Sequence, residues 1–397
     1  MSLTSFPSFT FSHAGSQNCG STLRRSRKIR IYPTAPQREI LRRILGISRA
    51  TYNKTVEYLR QPDTKANWMG IKKQIIDSLP EWSKEAPYQV RSIAVKDACE
   101  VVKRAKVKYR STGKFNEVSF RSRKDIRQSV FLSKEAIGAK GIFIKLLGQM
   151  RYSEPLPEIK HDCRLMYEYG KWFVVIPVDM EKPAETRTKL KLVSFDPGVR
   201  TFLTGYCEEG ILEIGRQAYE KIMGLCVQYD RIAALMTKVK ARRRQNLKRA
   251  RTRLLYRVEC LKKELHWKTA TFLAKNFKTI VIPEFSAGQM AGRTKRRLKS
   301  KTARAMLNLG QSRFREILSL QCEKYGSRML VVTEEYTSKT CPSCGQLHEK
   351  LGGSEVFRCP HCGYVSPRDA NGARNIMLRA MVDSPTLFQQ GVTVSVY

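Results

Sequence analysis

Acidic residues are what this chain of 397 residues most lacks: 35 Asp and Glu stand against 74 Lys and Arg, a formal charge of +39 with an isoelectric point of about 10.1. No acid precedes Glu39, none lies between Asp230 and Glu259, and none falls from Arg293 to Arg304. Self-repulsion on that scale calls for a polyanionic partner, nucleic acid before an anionic membrane surface. Long apolar runs are missing as well, with nothing near the roughly 18 uncharged apolar residues of a membrane span. Nor is there a disulfide framework, since the 11 cysteines are odd in number and most stand singly, which points to a reducing compartment. No internal repeat occurs. A hydrophobic content of 42% with 27% charged residues is that of a globular protein, and the length allows two to four domains.

Residues 1–26, rich in Ser, Gly and Thr, read as a disordered tail, ending in a basic run from Arg24 toward Lys28 that could serve as a nuclear import signal. Lys28 to Tyr32 alternates charged and apolar residues as a strand does. Thr34-Ala-Pro-Gln37 is a capping box that opens a helix, on which Ile40, Leu41, Ile44, Leu45 and Tyr52 recur at helical spacing. Val90, Ala94, Val101 and Ala105 mark a second amphipathic helix, so residues 35–126 form a helical module. Between 127 and 188 the pattern shifts to short apolar runs, Ser129–Leu132, Ile142–Leu147 and Trp172–Ile176, punctuated by glycines. That is an antiparallel sheet or small barrel, which residues 27–34 would join. From 189 to 380, strands at Leu192–Asp196, Phe202–Tyr206, Thr279–Ile282 and Met329–Thr333 alternate with helical stretches, the longest from Ala218 to Asn276. Fold class is therefore α/β for this part, and residues 381–397 carry no motif.

Four cysteines are not scattered. Cys341-x-x-Cys344 and Cys359-x-x-Cys362 lie 14 residues apart, the spacing of a treble-clef or ribbon zinc site, and Gly345 and Gly363 follow where each turn needs backbone freedom. A closed four-sulfur shell leaves no open position, so this Zn2+ is expected to be structural, with His348 and His361 as bystanders. A second constellation is acidic. Asp196, Glu284, Glu334 and Glu335 each follow a strand, and Asp369 opens the closing helix. Hydrolysis of a phosphodiester between two Mg2+ ions needs such a set of hard oxygen ligands. Singly, Asp369 reads as a helix cap and Asp196 as a turn residue; their order along the chain is what points to catalysis. Arg242, Arg243, Arg244, Lys248 and Arg249 in one acid-free run, Arg296 and Arg297 in another, and Lys28 and Arg30 on the first strand are candidate phosphate contacts.

Three segments carry a family resemblance: Phe195-Asp-Pro-Gly-Val-Arg-Thr-Phe202, Thr337-Ser-Lys-Thr-Cys341-Pro-Ser-Cys-Gly345, and Cys359-Pro-His-Cys-Gly363 with Arg368-Asp-Ala-Asn-Gly-Ala-Arg-Asn375. They resemble the RuvC-like nuclease core of the TnpB family, transposon-encoded RNA-guided DNA endonucleases related to type V CRISPR effectors. Lys28–Pro33 and Tyr52-Asn53 extend the likeness upstream. The resemblance implies an RNase H-like RuvC nuclease domain over 189–380 with a zinc ribbon at 338–366. It further implies a β-barrel wedge domain from 27–34 and 127–188, and a recognition lobe from the helical module. The implied partners are a guide (omega) RNA and target double-stranded DNA, with no membrane and no small-molecule substrate. Where the family's second acid stands in Ile-Val-Ile-Glu-Asp, this chain reads Ile280-Val-Ile-Pro283-Glu284. In the eukaryotic and viral Fanzor branch the glutamate has moved downstream into Glu-x-Tyr-Thr-Ser, here Glu334-Glu335-Tyr336-Thr337-Ser338, and Met290 with Ser300–Ala305 also resembles that branch. The implied catalytic and Mg2+-binding set is Asp196, Glu334 and Asp369, with Glu284 and Glu335 in reserve. A Fanzor-like protein would work in a nucleus, a bacterial one in cytoplasm. Against this stand a guide-dependent DNA binder with a decayed nuclease, a transposase acting on transposon ends, and a ribosomal or chromatin zinc-ribbon protein, which has no need of ordered carboxylates.

Overall fold

A computed structural model describes residues 22–138, 141–183, 190–284, 300–333 and 336–383. It divides into two compact units, Met1–Lys182 and Pro183–Tyr397. No helix among the described residues is long and apolar enough to cross a membrane.

In the first unit, strand β1 (Thr22–Tyr32) leads through Thr34, whose N–H donates to Gln37 Oε1 at 2.8 Å, into helix α1 (Ala35–Leu59). Gln37 is itself buried and donates to the carbonyls of Leu147 and Gln149, tying the helix start to the sheet side of the unit. Helices α2 (Trp68–Asp77) and α3 (Tyr88–Thr112) complete the helical part. Strands β2 (Arg127–Leu132), β3 (Ile137–Gly138), β4 (Gly141–Ile142), β5 (Arg151–Tyr152), β6 (Cys163–Glu168) and β7 (Lys171–Glu181) follow, with a single-turn helix α4 (Ile144–Leu147) between β4 and β5. The main sheet is antiparallel in the order β2-β6-β7-β1-β5, and among the described residues β2 and β5 are its edges. Ile29, Ile31, Ile44, Leu165, Val174 and Ile176 share its core.

Two local expectations change here. Strand β1 starts six residues before Lys28, because it pairs with β7 as far as Thr22 opposite Glu181, and Arg24 reaches Asp179 at 2.9 Å. Much of the basic run is thereby engaged within the sheet: Arg27 meets Glu154 at 2.6 Å and Lys28 pairs with the buried Glu168. The part of the tail before Thr22 lies outside the described residues. Ile142–Leu147 is mostly not a strand: Phe143 adopts φ 45° and turns the chain into α4. A short apolar run does not by itself distinguish strand from helix.

The second unit is built on strands β8 (Leu190–Asp196), β9 (Leu203–Cys207) and β10 (Gly210–Ile214), then helices α5 (Ala218–Thr237) and α6 (Ala241–Asn276). Next come β11 (Phe277–Pro283), α7 (Ser300–Leu309), α8 (Gln311–Tyr325), β12 (Arg328–Val332), a small hairpin of β13 (Val356–Arg358) and β14 (Val365–Pro367), and α9 (Arg368–Asp383). The sheet order is β10-β9-β8-β11-β12, antiparallel across the first three strands and parallel from β8 through β11 to β12. Strand parity sorts its faces. Val193, Phe195, Ile280 and Ile282 pack with Leu273, Phe314 and Leu318 of α6 and α8, whereas Leu192 and Val281 pack with Ile376, Met377 and Ala380 of α9. The long stretch expected as one helix breaks between α5 and α6. Arg244 closes the break by donating to the carbonyls of Met236 and Val239, both at 3.1 Å.

Candidate functional site

Parity places the first carboxylate. Leu192 and Ser194 point toward α9, the Ser194 hydroxyl donating to the Ala373 carbonyl at 2.7 Å, so Asp196 at the end of β8 faces α9 as well. Asp369 stands in the first turn of that helix. Between them are two glycines whose missing side chains make the approach possible. A Cβ on Gly372 would lie 2.5 Å from Asp196 Oδ2, and one on Gly198 would lie 2.6 Å from the Thr201 carbonyl and 3.9 Å from Asp369 Oδ2. Residues 173 positions apart in sequence are thus brought to one corner, Asp196 half-buried and Asp369 exposed. Gly372 was not among the residues singled out from sequence. Its signal was there, a glycine inside a helix, which ordinarily costs about 1 kcal/mol relative to Ala.

The remaining acids separate. By register, Val281 lies beside Ser194, and the next residue of that parity is the buried Pro283; Glu284 has the parity of Ile282 and belongs to the opposite face. No bulge intervenes, since Pro283 pairs with Val332 and the Glu284 N–H donates to the Val332 carbonyl at 2.8 Å. Glu334 and Glu335 lie outside the described residues, as do Arg296 and Arg297. Leu330 and Val332 of β12 pack on the α9 face.

The four cysteines come together. One sulfur from each of Cys341, Cys344, Cys359 and Cys362 lies within 4.8 Å of all the others, with 3.6 Å between Cys341 and Cys362 and between Cys344 and Cys359. A tetrahedral ion with metal–sulfur bonds of about 2.3 Å separates its sulfurs by about 3.8 Å, so the set fits one. Its two halves repeat a single turn: Gly345 and Gly363, at φ 73° and 75°, donate to the carbonyls of Cys341 and Cys359, whose own N–H groups reach Gln346 and Tyr364. The N–H groups of Cys362 and His361 hold the Cys359 thiol down to about 6.

Among the cations, the side chains of Arg242, Arg243, Lys248 and Arg249 are exposed on α6, and Lys238, Lys240, Arg242 and Arg243 line a cavity of about 550 Å³ at its start. Arg244 is committed to the carbonyls of Met236 at the end of α5 and Val239 just beyond it, Lys28 to Glu168, and Arg30 lies over the Tyr32 ring.

Residues 312–376 match a Cas12f1-like TNB domain, and residues 23–61 match a helix-turn-helix domain, a span that here folds as β1 and the single helix α1. The TnpB-like protein L79 of Acanthamoeba polyphaga mimivirus is 27% identical over 89% of this chain and 72% of its own length. The protein named "Putative RNA-guided DNA endonuclease InsQ" of Escherichia coli is 26% identical over 88% and 90%. In fold, the chain resembles Cas12f1 in a complex with single guide RNA and target DNA, at a TM-score of 0.52 and 12% identity over 90% of this chain and 99% of that one.

Proposed function

The chain belongs to the TnpB-like family, and from that premise we propose that it is a transposon-type RNA-guided DNA endonuclease. The observation that carries the proposal is the convergence of Asp196 and Asp369 across Gly372 and Gly198. We read the second unit as an RNase H-like RuvC nuclease domain; its strand order, three antiparallel strands then two parallel ones, supports that reading. The third acid is then Glu334. Glu334 is the acid that the Glu-x-Tyr-Thr-Ser pattern selects, and Pro283 fills the place an acid on β11 would need, on the face that Leu330 and Val332 share with Leu192 and Val281.

Asp196, Glu334 and Asp369 would hold Mg2+, which supplies electrostatic stabilisation of the attacking and leaving oxygens of the phosphodiester. The protein's part is to hold Asp196 and Asp369 at one corner and keep β8 and α9 in contact through Ser194 and Ala373. Cys341, Cys344, Cys359 and Cys362 hold a structural Zn2+. The sheet of the first unit serves as the wedge that holds the guide scaffold, and α1 to α3 as the lobe that grips the guide–target heteroduplex by shape and backbone charge. The excess of 39 positive charges supports that division. A nuclear site of action accords with the viral relatives.

The test is purification of the chain expressed with its genomic flanks, sequencing of the RNA that accompanies it, and plasmid cleavage with Mg2+ after retargeting that RNA. Cutting should follow the guide and vanish in Asp196→Ala, Glu334→Ala and Asp369→Ala. Guided binding without cutting in the wild type would mark a decayed nuclease. Absence of a discrete RNA would redirect the reading to transposon ends.

A further inference from the structure

Helix α9 presents two working faces. Gly372 and Ala373 meet β8, and Asp369 lies beside Gly198 just past its end. One step around the helix, Arg368, Asn371 and Asn375 meet the chain that enters and surrounds the four cysteines. Asn375, 6% exposed, uses one amide nitrogen to donate to two carbonyls at once, Thr337 at 2.7 Å and Thr340 at 2.8 Å. Asn371, 1% exposed, donates to the Thr340 carbonyl at 3.1 Å, while its Oδ1 accepts no hydrogen bond among the described residues. Arg368 adds a guanidinium bond to the Gly352 carbonyl at 3.0 Å and a backbone bond to Glu355 at 2.9 Å.

The segment they grip is a tight turn. Tyr336 stands at φ 63°, an unfavourable conformation for a residue with a side chain, and its carbonyl accepts from the N–H groups of Lys339 and Thr340. Cys341 follows at once. Carbonyls that a turn leaves over must find donors when buried, and Asn371 and Asn375 provide them from outside the turn.

Resting on the nuclease reading above, we infer that Asn375, seconded by Asn371, is a positioning residue: it locks the Thr337–Thr340 turn, and with it the first cysteine knuckle, onto the helix that carries Asp369. In sequence a single residue, Glu335, separates the proposed third acid, Glu334, from the Tyr336 that opens this turn. The ribbon therefore acts on the reaction through α9, and the two asparagines are the link.

Asn375→Asp is the sharpest probe, nearly the same shape with the donors gone and a charge set against two carbonyls. Purified with its RNA, it is compared with wild type in four measurements: guided target binding, zinc content, amide exchange across residues 336–345, and cleavage rate against Mg2+ concentration. Binding and zinc content should hold. Exchange of the turn should quicken by at least about tenfold. Cleavage should fall about ten- to a hundredfold, with more Mg2+ needed for half-maximal rate, as misplacement of a ligand by about an ångström predicts. Where Asn375→Asp fails to fold, Asn371→Ala, which removes one bond, should move exchange and Mg2+ dependence in the same direction by less. Faster exchange with unchanged cutting and Mg2+ dependence overturns the inference, and so does unchanged exchange. A wild-type chain that binds its RNA and target but never cuts overturns the nuclease reading instead, and the wild-type control tells the two failures apart.

Discussion

Gly372 is the position at which a single methyl group decides the site. With its Cβ 2.5 Å from Asp196 Oδ2, Gly372→Ala must displace either the carboxylate or the helix. Cleavage should drop by about a hundredfold or more while guided target binding persists, read by plasmid cleavage beside a gel-shift assay. His266 controls a different property. It is 3% exposed, its Nε2 lies 2.8 Å from the Leu309 carbonyl, and its ring stacks on Phe202 at 5.5 Å. Burial, aided by Lys262 and Arg313, holds its pKa down to about 4. The folded state thus binds the proton less readily than the unfolded chain, and stability present above the ordinary histidine pKa is lost as pH falls from about 6.5 toward 4. The loss should reach on the order of 3 kcal/mol. His266→Gln should flatten that slope in thermal melts of the second unit across this range.

Elements of very different self-sufficiency make up the second unit. The ribbon hairpin of β13 and β14 pairs only three residues a side and buries little beyond Cys341, Leu351, Phe357 and Cys359. A core that small does not order a segment unaided, so its fold should depend on the ion. Chelation or Cys359→Ser should raise thiol reactivity of the remaining cysteines and lower cleavage, with the melt of the β8–β12 sheet retained. Helix α6 divides its cations. Arg242→Gln with Arg243→Gln should reduce the slope of log affinity against log salt by about one to two, measured on guide RNA, if both meet phosphates. Arg244→Gln should instead cost about 1 kcal/mol of stability by stripping two donors from the break between α5 and α6.

The molecule as a whole consists of two units, each with its own hydrophobic cluster. A unit with its own core is expected to fold independently. Residues 1–182 and 183–397, expressed separately, should each melt cooperatively in denaturant, followed by circular dichroism. A positive charge spread through both predicts that neither alone binds guide RNA as tightly as the full chain in physiological salt.

Much of this was legible in one dimension, and the reasons are local. Four cysteines in two knuckles state their chemistry by spacing, because the turn that joins each pair is short and self-contained. The charge excess names a polyanion wherever the cations lie. The capping box at Thr34 and Gln37 was legible too, as was the order of carboxylates after strands. What required the fold was everything set by parity and by contacts distant in sequence. That Glu284 stands one residue out of step with Pro283 is legible along the chain, but that no bulge restores it to the α9 face is set by the pairing of β11 with β12. Arg244 reads as one more phosphate contact until its guanidinium is found closing a helix end. Gly372 and Asn375 read as helix residues of poor propensity; only the packing of α9 against β8 and the ribbon turn makes one an opening for Asp196 and the other a clamp. Local spacing determines which groups are available, because it acts through a few bonds. Which groups meet depends on burial of faces across the whole sheet, a property no short window of sequence contains.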